Sequence, residues 1–220
     1  MEEPVATAKN PSTKKKPTSK RSSSARSSTV VRKTSETDIR VTLDLDNAAT
    51  PSADTGVPFL DHMLDALGRH AFLGLAVKAR GDIEIDDHHT VEDVGLALGQ
   101  ALAEALGDRK GIARFGHFEA PLDETLVAVT VDLSGRPYLV YNVKMARYQV
   151  GTFDTGLIED FMQAFATAGG LNLHINLRYG RNPHHIAEAT FKAFAKALAQ
   201  ALQIDPRVLG VPSTKGTLTA

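Results

Sequence analysis

Two adjacent histidine pairs, each followed by a glutamate, are the residues of this sequence best suited to metal chemistry. The first pair is His88 and His89, with Glu92 after it, and the same pattern recurs over residues 184–188. Imidazole and carboxylate groups bind divalent transition metals, so the repeated pattern predicts an enzyme with two metal ions or two metal sites. The zinc-protease signature places its glutamate between the histidines, so this pattern does not support a metalloprotease.

The geometry of a helix divides the two histidines of a pair between different sites. Residues three or four positions apart share a helix face, so Glu92 can face the same site as His88 or as His89. Adjacent histidines point about 100° apart, which assigns them to two different metal ions. A complete site then needs ligands from the other half of the chain or from another subunit. Each pair taken alone is also compatible with a helix cap or a hydrogen-bonded surface pair.

Hydrophobic periodicity indicates the elements that must position these residues. Alternating apolar residues predict strands over residues 38–46, 74–85, 126–141 and 171–177, with turns at 80–82 and 134–137. Helical periodicity predicts helices over residues 59–70, 90–106, 157–168 and 186–202, and a loop covers 47–58. Gly107 is placed to end the second helix. The order strand, helix, strand, His-His helix thus occurs twice, and His184 follows His88 by 96 residues.

This repetition predicts an α+β fold built by tandem duplication of a strand-helix-strand-helix half, with sheets covered by helices. The first half is assigned to residues 31–110 and the second to 111–220. A chain of 220 residues with 42% hydrophobic residues can form a sizeable core. The absence of cysteine excludes disulfides and thiolate ligands, so a metal must use imidazole and carboxylate. No apolar run approaches the ~20 residues that span a bilayer, so we expect a soluble protein whose folded region does not enter a membrane.

Residues 1–30 form a basic segment rich in Ser, Thr, Lys, Arg and Pro, which predicts a disordered tail. Nine Lys and Arg residues against Glu2 and Glu3 give residues 1–33 a charge of about +7, which leaves about -8 for the rest. The tail is either a solvated segment, a nucleic-acid or membrane contact, or a targeting peptide. The negative charge of the folded region argues against nucleic-acid binding as the main function. We expect a cytoplasmic protein unless the tail directs import into an organelle.

Cationic residues in four separate segments are candidates for anion binding. They are Arg114, Arg136, Lys192 and Lys215. Lys192 lies one turn after Glu188, so it faces the metal-site side of its helix, although the same spacing also suits a simple helix ion pair. If these residues converge, they would hold a phosphate through charge-assisted hydrogen bonds.

Five segments together resemble imidazoleglycerol-phosphate dehydratase, and the resemblance covers residues from about 32 to 218 without the basic tail. The segments are Phe59–Leu64, Asp86–Asp93, Leu133–Tyr138, Asn182–Ala189 and Pro212–Gly216. The family is a manganese-dependent lyase of histidine biosynthesis that removes water from imidazole glycerol phosphate to give imidazole acetol phosphate. The resemblance implies a ribosomal S5 domain 2-like repeat fold, two Mn²⁺ per active site, and a 24-subunit assembly with active sites between subunits.

The resemblance also implies roles for particular residues. Metal ligands would be His62, His88, His89, Glu92, Asp160, His184, His185 and Glu188. Phosphate would be held by Arg114, Arg136, Lys192, Ser213 and Lys215. Catalytic groups would be Glu36, His70, Asp123 and Glu188. Two positions depart from the family, because Asp160 stands where a histidine is frequent and Ala66 where a glutamine is frequent.

Two other functions use the same residues. A metal-dependent hydrolase would activate water on a phosphate ester, and it would release inorganic phosphate where a dehydratase would not. A non-catalytic assembly module would use the histidine pairs to hold subunits together through metal, and it would turn over no substrate.

Overall fold

The computed structural model describes Met1 and residues 26–145 and 149–218. The first half contains β1 (Ser27–Lys33), β2 (Thr37–Asp44), β3 (Ser52–Asp54), α1 (Pro58–Ala71), β4 (Gly74–Gly81) and α2 (His88–Leu106). The second half contains β5 (Phe115–Leu122), β6 (Thr125–Asp132), β7 (Tyr138–Asn142), β8 (Gln149–Val150), β9 (Phe153–Asp154), α3 (Leu157–Gly169), β10 (Asn172–Tyr179) and α4 (Pro183–Leu202).

The two main sheets share one topology, which confirms the predicted duplication. Their strand orders are β1-β2-β4-β3 and β5-β6-β10-β7. In each sheet the first three strands are antiparallel and the last pairs parallel to its neighbour. The predicted strand-helix-strand-helix half was incomplete, because each half has three strands of its main sheet before its first helix. The short β8–β9 hairpin is found in the second half between β7 and α3.

The predicted start of the folded region also needs correction. Strand β1 begins at Ser27, so residues 27–30, which composition assigned to the tail, belong to the first sheet. This strand begins with Ser and Thr residues, pairs with β2 along its whole length, and buries the side chain of Val30. A prediction from composition counts apolar side chains, so it misses a polar strand that is held by backbone hydrogen bonds to its neighbour. The rest of the predicted tail, apart from Met1, lies outside the described residues.

The helices pack across the two halves. Helix α2 lies on β1 and β2 but packs against α3, while α4 lies on β5 and β6 and packs against α1. A Cβ at Gly95 would come within 2.8 Å of the Phe161 carbonyl oxygen, and one at Gly99 within 2.5 Å of that of Phe165. These glycines allow α2 and α3 to approach closely, with their N-terminal ends side by side. A single hydrophobic core consequently spans both halves.

Both histidine pairs begin their helices, as the sequence predicts. In each case a side chain two residues earlier accepts the backbone N–H of the first histidine: Asp86 for His88 at 2.8 Å and Asn182 for His184 at 3.0 Å. Such caps satisfy amide donors that the first turn leaves unpaired. Gly107 ends α2 with a φ of 52°, as predicted. None of the helices in the described part of the chain combines the length and apolarity that crossing a membrane requires.

Candidate metal centre

The first cluster joins residues from α1 and α4. It consists of His62, His184 and Glu188, and one ligand atom of each lies within 4.8 Å of those of the other two. The Nε2 atoms of His62 and His184 lie 3.4 and 3.2 Å from Glu188 Oε2. Two imidazoles and a carboxylate that converge on one point form a donor set suited to a divalent transition metal. The chemistry of the donors therefore fits a metal ion.

Lys192 sits on the outer side of the first cluster. Its ammonium lies 2.6 Å from Glu188 Oε1, so the ion pair expected from the helix spacing is formed. Burial opposes ionisation of Glu188, but Lys192 and the imidazoles of His62 and His184 outweigh it and lower its pKa to about 2. Glu188 is therefore a carboxylate at neutral pH, with both oxygens engaged. His70, two turns after His62, has a pKa lowered by burial and then by Lys192.

The second cluster lies at the corresponding positions on α2 and α3, but its two carboxylates approach opposite nitrogens of one imidazole, so its ligand atoms are less convergent than those of the first cluster. It consists of His88, Glu92 and Asp160. His88 Nδ1 lies 3.5 Å from Asp160 Oδ2, and His88 Nε2 lies 3.8 Å from Glu92 Oε2. Glu92 therefore shares a site with His88, which resolves the choice that the helix spacing left open. The duplication thus produces one cluster at each pair of helix N-termini.

The second histidine of each pair faces away from its cluster. His89 Nδ1 lies 3.0 Å from Asp82, and His185 Nδ1 lies 2.7 Å from Glu124. Because a carboxylate only accepts hydrogen bonds, each Nδ1 donates to its carboxylate, and in the neutral imidazole Nε2 is left as an acceptor. A carboxylate behind a histidine is the arrangement that orients metal ligands. Within the described residues of one protomer, the first histidine of each pair therefore joins a cluster and the second does not.

Two acids that the family resemblance implies are catalytic, Glu36 and Asp123, lie farther from these histidines than Asp82 and Glu124 do. Glu36 is 4.0 Å from His89 Nδ1, and Asp123 is 3.9 Å from His185 Nε2. The closer partner of His185 is Glu124, whose pKa is lowered to about 2 by His185 and by the backbone N–H of Asn182. The family resemblance named Asp123 as a catalytic group and did not name Glu124, because it does not show which acid of the turn contacts His185. Asp123 has a φ of 46°, in the left-handed region of the backbone.

Arg114 lies at the opposite end of α4 from the first cluster. Its backbone N–H donates to the Ala201 carbonyl at 2.9 Å, and Ala201 follows Glu188 by 13 residues, a helical rise of about 20 Å. The Arg114 guanidinium makes hydrogen bonds of 2.7 and 3.0 Å to Asp132 and of 2.8 Å to the Pro212 carbonyl. Arg114 therefore anchors the C-terminal segment that carries two other predicted phosphate ligands, Ser213 and Lys215.

Three other predicted phosphate ligands follow residues that are hydrogen-bonded to Arg114. Ser213 follows the anchored Pro212, and the Lys215 backbone N–H donates to Ser213 Oγ at 3.2 Å. The turn that carries the exposed Arg136 begins after Leu133, whose N–H donates to the Arg114 carbonyl at 3.1 Å. Within one protomer, Lys192 is placed with the first cluster, whereas Arg114 lies with the segment of Ser213 and Lys215 at the other end of α4. The convergence of all the cationic residues that the sequence analysis considered is therefore not found within one protomer, because Lys192 lies apart from Arg114.

A cavity of about 460 Å³ opens beside the first cluster, lined by both of its histidines and by the β8–β9 hairpin. Phe59 forms its apolar wall, with ring centroids 5.4 Å from His184 and 5.1 Å from Phe153. Phe59 was not singled out from the sequence, although it lies three residues before His62 and thus on the same helix face. The cavity offers a small aromatic compound an approach to the cluster.

Comparison with known proteins decides the family. The profile described as "Imidazoleglycerol-phosphate dehydratase" matches residues 55–198, which include both clusters. The chain belongs to this family. The resemblance found in the five sequence segments is therefore confirmed.

Relatives of known name support the assignment along most of the chain. Imidazoleglycerol-phosphate dehydratase from Geobacter metallireducens is 56% identical over 191 residues, which cover 87% of this chain and 98% of the relative. The Symbiobacterium thermophilum protein of the same name is 57% identical over 189 residues, or 86% and 91% of the two chains. The segment outside these alignments is small.

Solved structures of the family share the fold. The Staphylococcus aureus enzyme superposes with a TM-score of 0.74 at 41% identity, covering 80% of this chain and 98% of that one. The Pyrococcus furiosus enzyme, solved in complex with (S)-C348, gives a TM-score of 0.75 at 34% identity and covers 86% and 100%. These matches confirm the predicted α+β fold class with its duplicated halves.

Proposed function

We propose that this protein removes water from imidazole glycerol phosphate to give imidazole acetol phosphate, a step of histidine biosynthesis, with two divalent metal ions per active site. The observation that carries the proposal is the pair of related clusters at the helix N-termini, in a chain whose relatives are named imidazoleglycerol-phosphate dehydratase. The donors are nitrogen and carboxylate oxygen, a combination that suits Mn²⁺.

A complete site would draw on several copies of the chain. The first cluster supplies three convergent donors and the second supplies three that converge less. His89 and His185 are held outside both clusters through their Nδ1 atoms, by Asp82 and Glu124. We assign these two histidines to the clusters of neighbouring subunits, where each would add a fourth protein ligand. A 24-subunit assembly, as the family resemblance implies, would bring the group around Arg114 to a neighbour's Lys192 in the same way.

The reaction removes a proton from the carbon beside the imidazole ring and hydroxide from the next carbon. Bound metal ions supply Lewis acidity and a fixed hold on the ring. Glu188 is assigned to holding the metal, since Lys192 and two imidazoles occupy its oxygens. Proton removal and protonation of the leaving hydroxyl then fall to Glu36, His70 and Asp123 as candidates. Asp82 and Glu124 keep the proton of their histidines on Nδ1 and so keep each Nε2 available.

The proposal is tested with chelator-stripped protein, imidazole glycerol phosphate, and either added Mn²⁺ or none. Keto product and free phosphate are followed together. We expect keto product only with Mn²⁺ and no release of phosphate. Phosphate release would identify a hydrolase, and a folded, metal-loaded protein that turns over no substrate would contradict any catalytic role in this step.

Lys192→Ala is expected to raise KM for the phosphorylated substrate about 10- to 100-fold, because a charge-assisted hydrogen bond to phosphate is lost. The increase should grow as salt is lowered, since salt weakens the wild-type contact. Initial rates at several ionic strengths measure it. Lys110→Ala, an exposed lysine paired with Asp108, is the matched control and should leave KM unchanged. An unaltered KM for Lys192→Ala would remove this residue from the phosphate site.

A further inference from the structure

The internal duplication allows the two clusters to be compared position by position. His184 corresponds to His88, and Glu188 corresponds to Glu92, each 96 residues apart. The third member comes from the neighbouring helix in both cases, His62 from α1 and Asp160 from α3. The two clusters therefore differ at one ligand position, where an imidazole in the first is replaced by a carboxylate in the second.

This difference changes the chemistry of the donors. The first cluster offers two imidazole nitrogens and one carboxylate, whereas the second offers one imidazole and two carboxylates. Imidazole suits Zn²⁺, Co²⁺ and Ni²⁺, while carboxylate oxygens suit Mn²⁺ and Mg²⁺. A further imidazole from a neighbouring copy would add the same donor to both clusters, so the difference between them would remain.

The residues around the clusters increase the difference. In the first cluster the Lys192 ammonium lies 2.6 Å from Glu188 and neutralises much of its charge. The position equivalent to Lys192 is Leu96 in the second half, which brings no charge to Glu92. The second cluster therefore has two carboxylates without that lysine, and its net negative charge favours hard cations.

We propose that the two metal sites are inequivalent and that Asp160 is the residue that sets the difference. The second cluster prefers Mn²⁺ over Zn²⁺ more strongly than the first does, so Zn²⁺ replaces the two Mn²⁺ populations at different concentrations. The inference rests on the proposed metal-dependent function, and it adds which cluster binds which class of metal.

The test loads chelator-stripped wild-type protein to saturation with Mn²⁺ and titrates it with Zn²⁺, while elemental analysis measures both bound metals. We expect half of the Mn²⁺ to leave first and the other half to need at least about tenfold more Zn²⁺. Asp160→His should shift the late step toward the early one. His62→Asp, the reciprocal change, should shift the early step toward the late one.

The outcomes separate this inference from the proposed function. Release of all Mn²⁺ in one step from the wild type, or two unchanged steps in Asp160→His, would overturn the inequivalence and leave the metal-dependent function standing. A wild-type protein that holds no metal would overturn both. The Asp160 side chain is 44% exposed, so its replacement should be tolerated, and an unchanged unfolding midpoint verifies that each variant is folded.

Discussion

Replacing Glu188 by glutamine is expected to lower kcat at least about a thousandfold while the protein stays folded. One carboxylate oxygen of Glu188 accepts a hydrogen bond from Lys192, and the other faces His62 and His184. Both oxygens therefore act as acceptors. A glutamine amide has a single acceptor oxygen and turns N–H donors toward the other side. Steady-state kinetics and the metal content of the purified variant measure the effect.

A matched control separates loss of this carboxylate from general damage. Glu104 is an exposed glutamate on α2 that accepts a hydrogen bond from Gln100 at 2.9 Å, and Glu104→Gln should change kcat by less than about twofold. Thermal unfolding of both variants verifies that they are folded. Wild-type turnover with normal metal content in Glu188→Gln would contradict the role assigned to Glu188.

Replacing Arg109 by methionine is expected to destabilise the fold by about 3–5 kcal/mol. The Arg109 guanidinium is buried and donates to the carbonyl oxygens of Leu133, Gly169 and Gly170, each at 2.9 Å. It thereby joins the end of α2 to the ends of β6 and α3. Methionine fills a similar volume but leaves three buried acceptors unpaired. Denaturant unfolding of the two proteins at neutral pH measures the difference.

Arg207→Met provides the comparison for this loss of stability. Arg207 also forms short hydrogen bonds, to Asp205, but its side chain is 88% exposed and water can replace them. Its replacement should leave the denaturant midpoint unchanged. Equal midpoints for Arg109→Met and the wild type would show that the three carbonyls find other partners.

Exchange of helices between the halves explains why the sites need the whole fold. α1 of the first half brings His62 to α4, and α3 of the second half brings Asp160 to α2. Neither half alone contains a complete cluster. A duplicated chain of this kind can change one cluster without changing the other, which is how Asp160 and Leu96 distinguish the second half from the first.

Sequence periodicity predicted the four helices, but it missed five of the described strands. The helices each bury one stripe of apolar residues, so α3, predicted over 157–168, extends over Leu157–Gly169. The missed strands are β1, β3, β5, β8 and β9. β5 contains Gly116, where a Cβ would overlap the Ala197 carbonyl oxygen of α4. Gly116 lowers the strand propensity of this segment, but the close packing of β5 against α4 requires it. That packing exists only in the folded chain, so local sequence patterns do not reveal it.

The sequence by itself determined the donor types, the helix that each histidine pair begins, and the different directions in which the two histidines of a pair point. These properties depend on residue identity and on the fixed rotation of a helix, which are local. The tertiary structure decided that Glu124, not Asp123, is the closer partner of His185, and that Lys192 lies apart from Arg114. Such contacts join segments distant in the chain, and they follow from how the helices cross the two halves, which local periodicity does not encode.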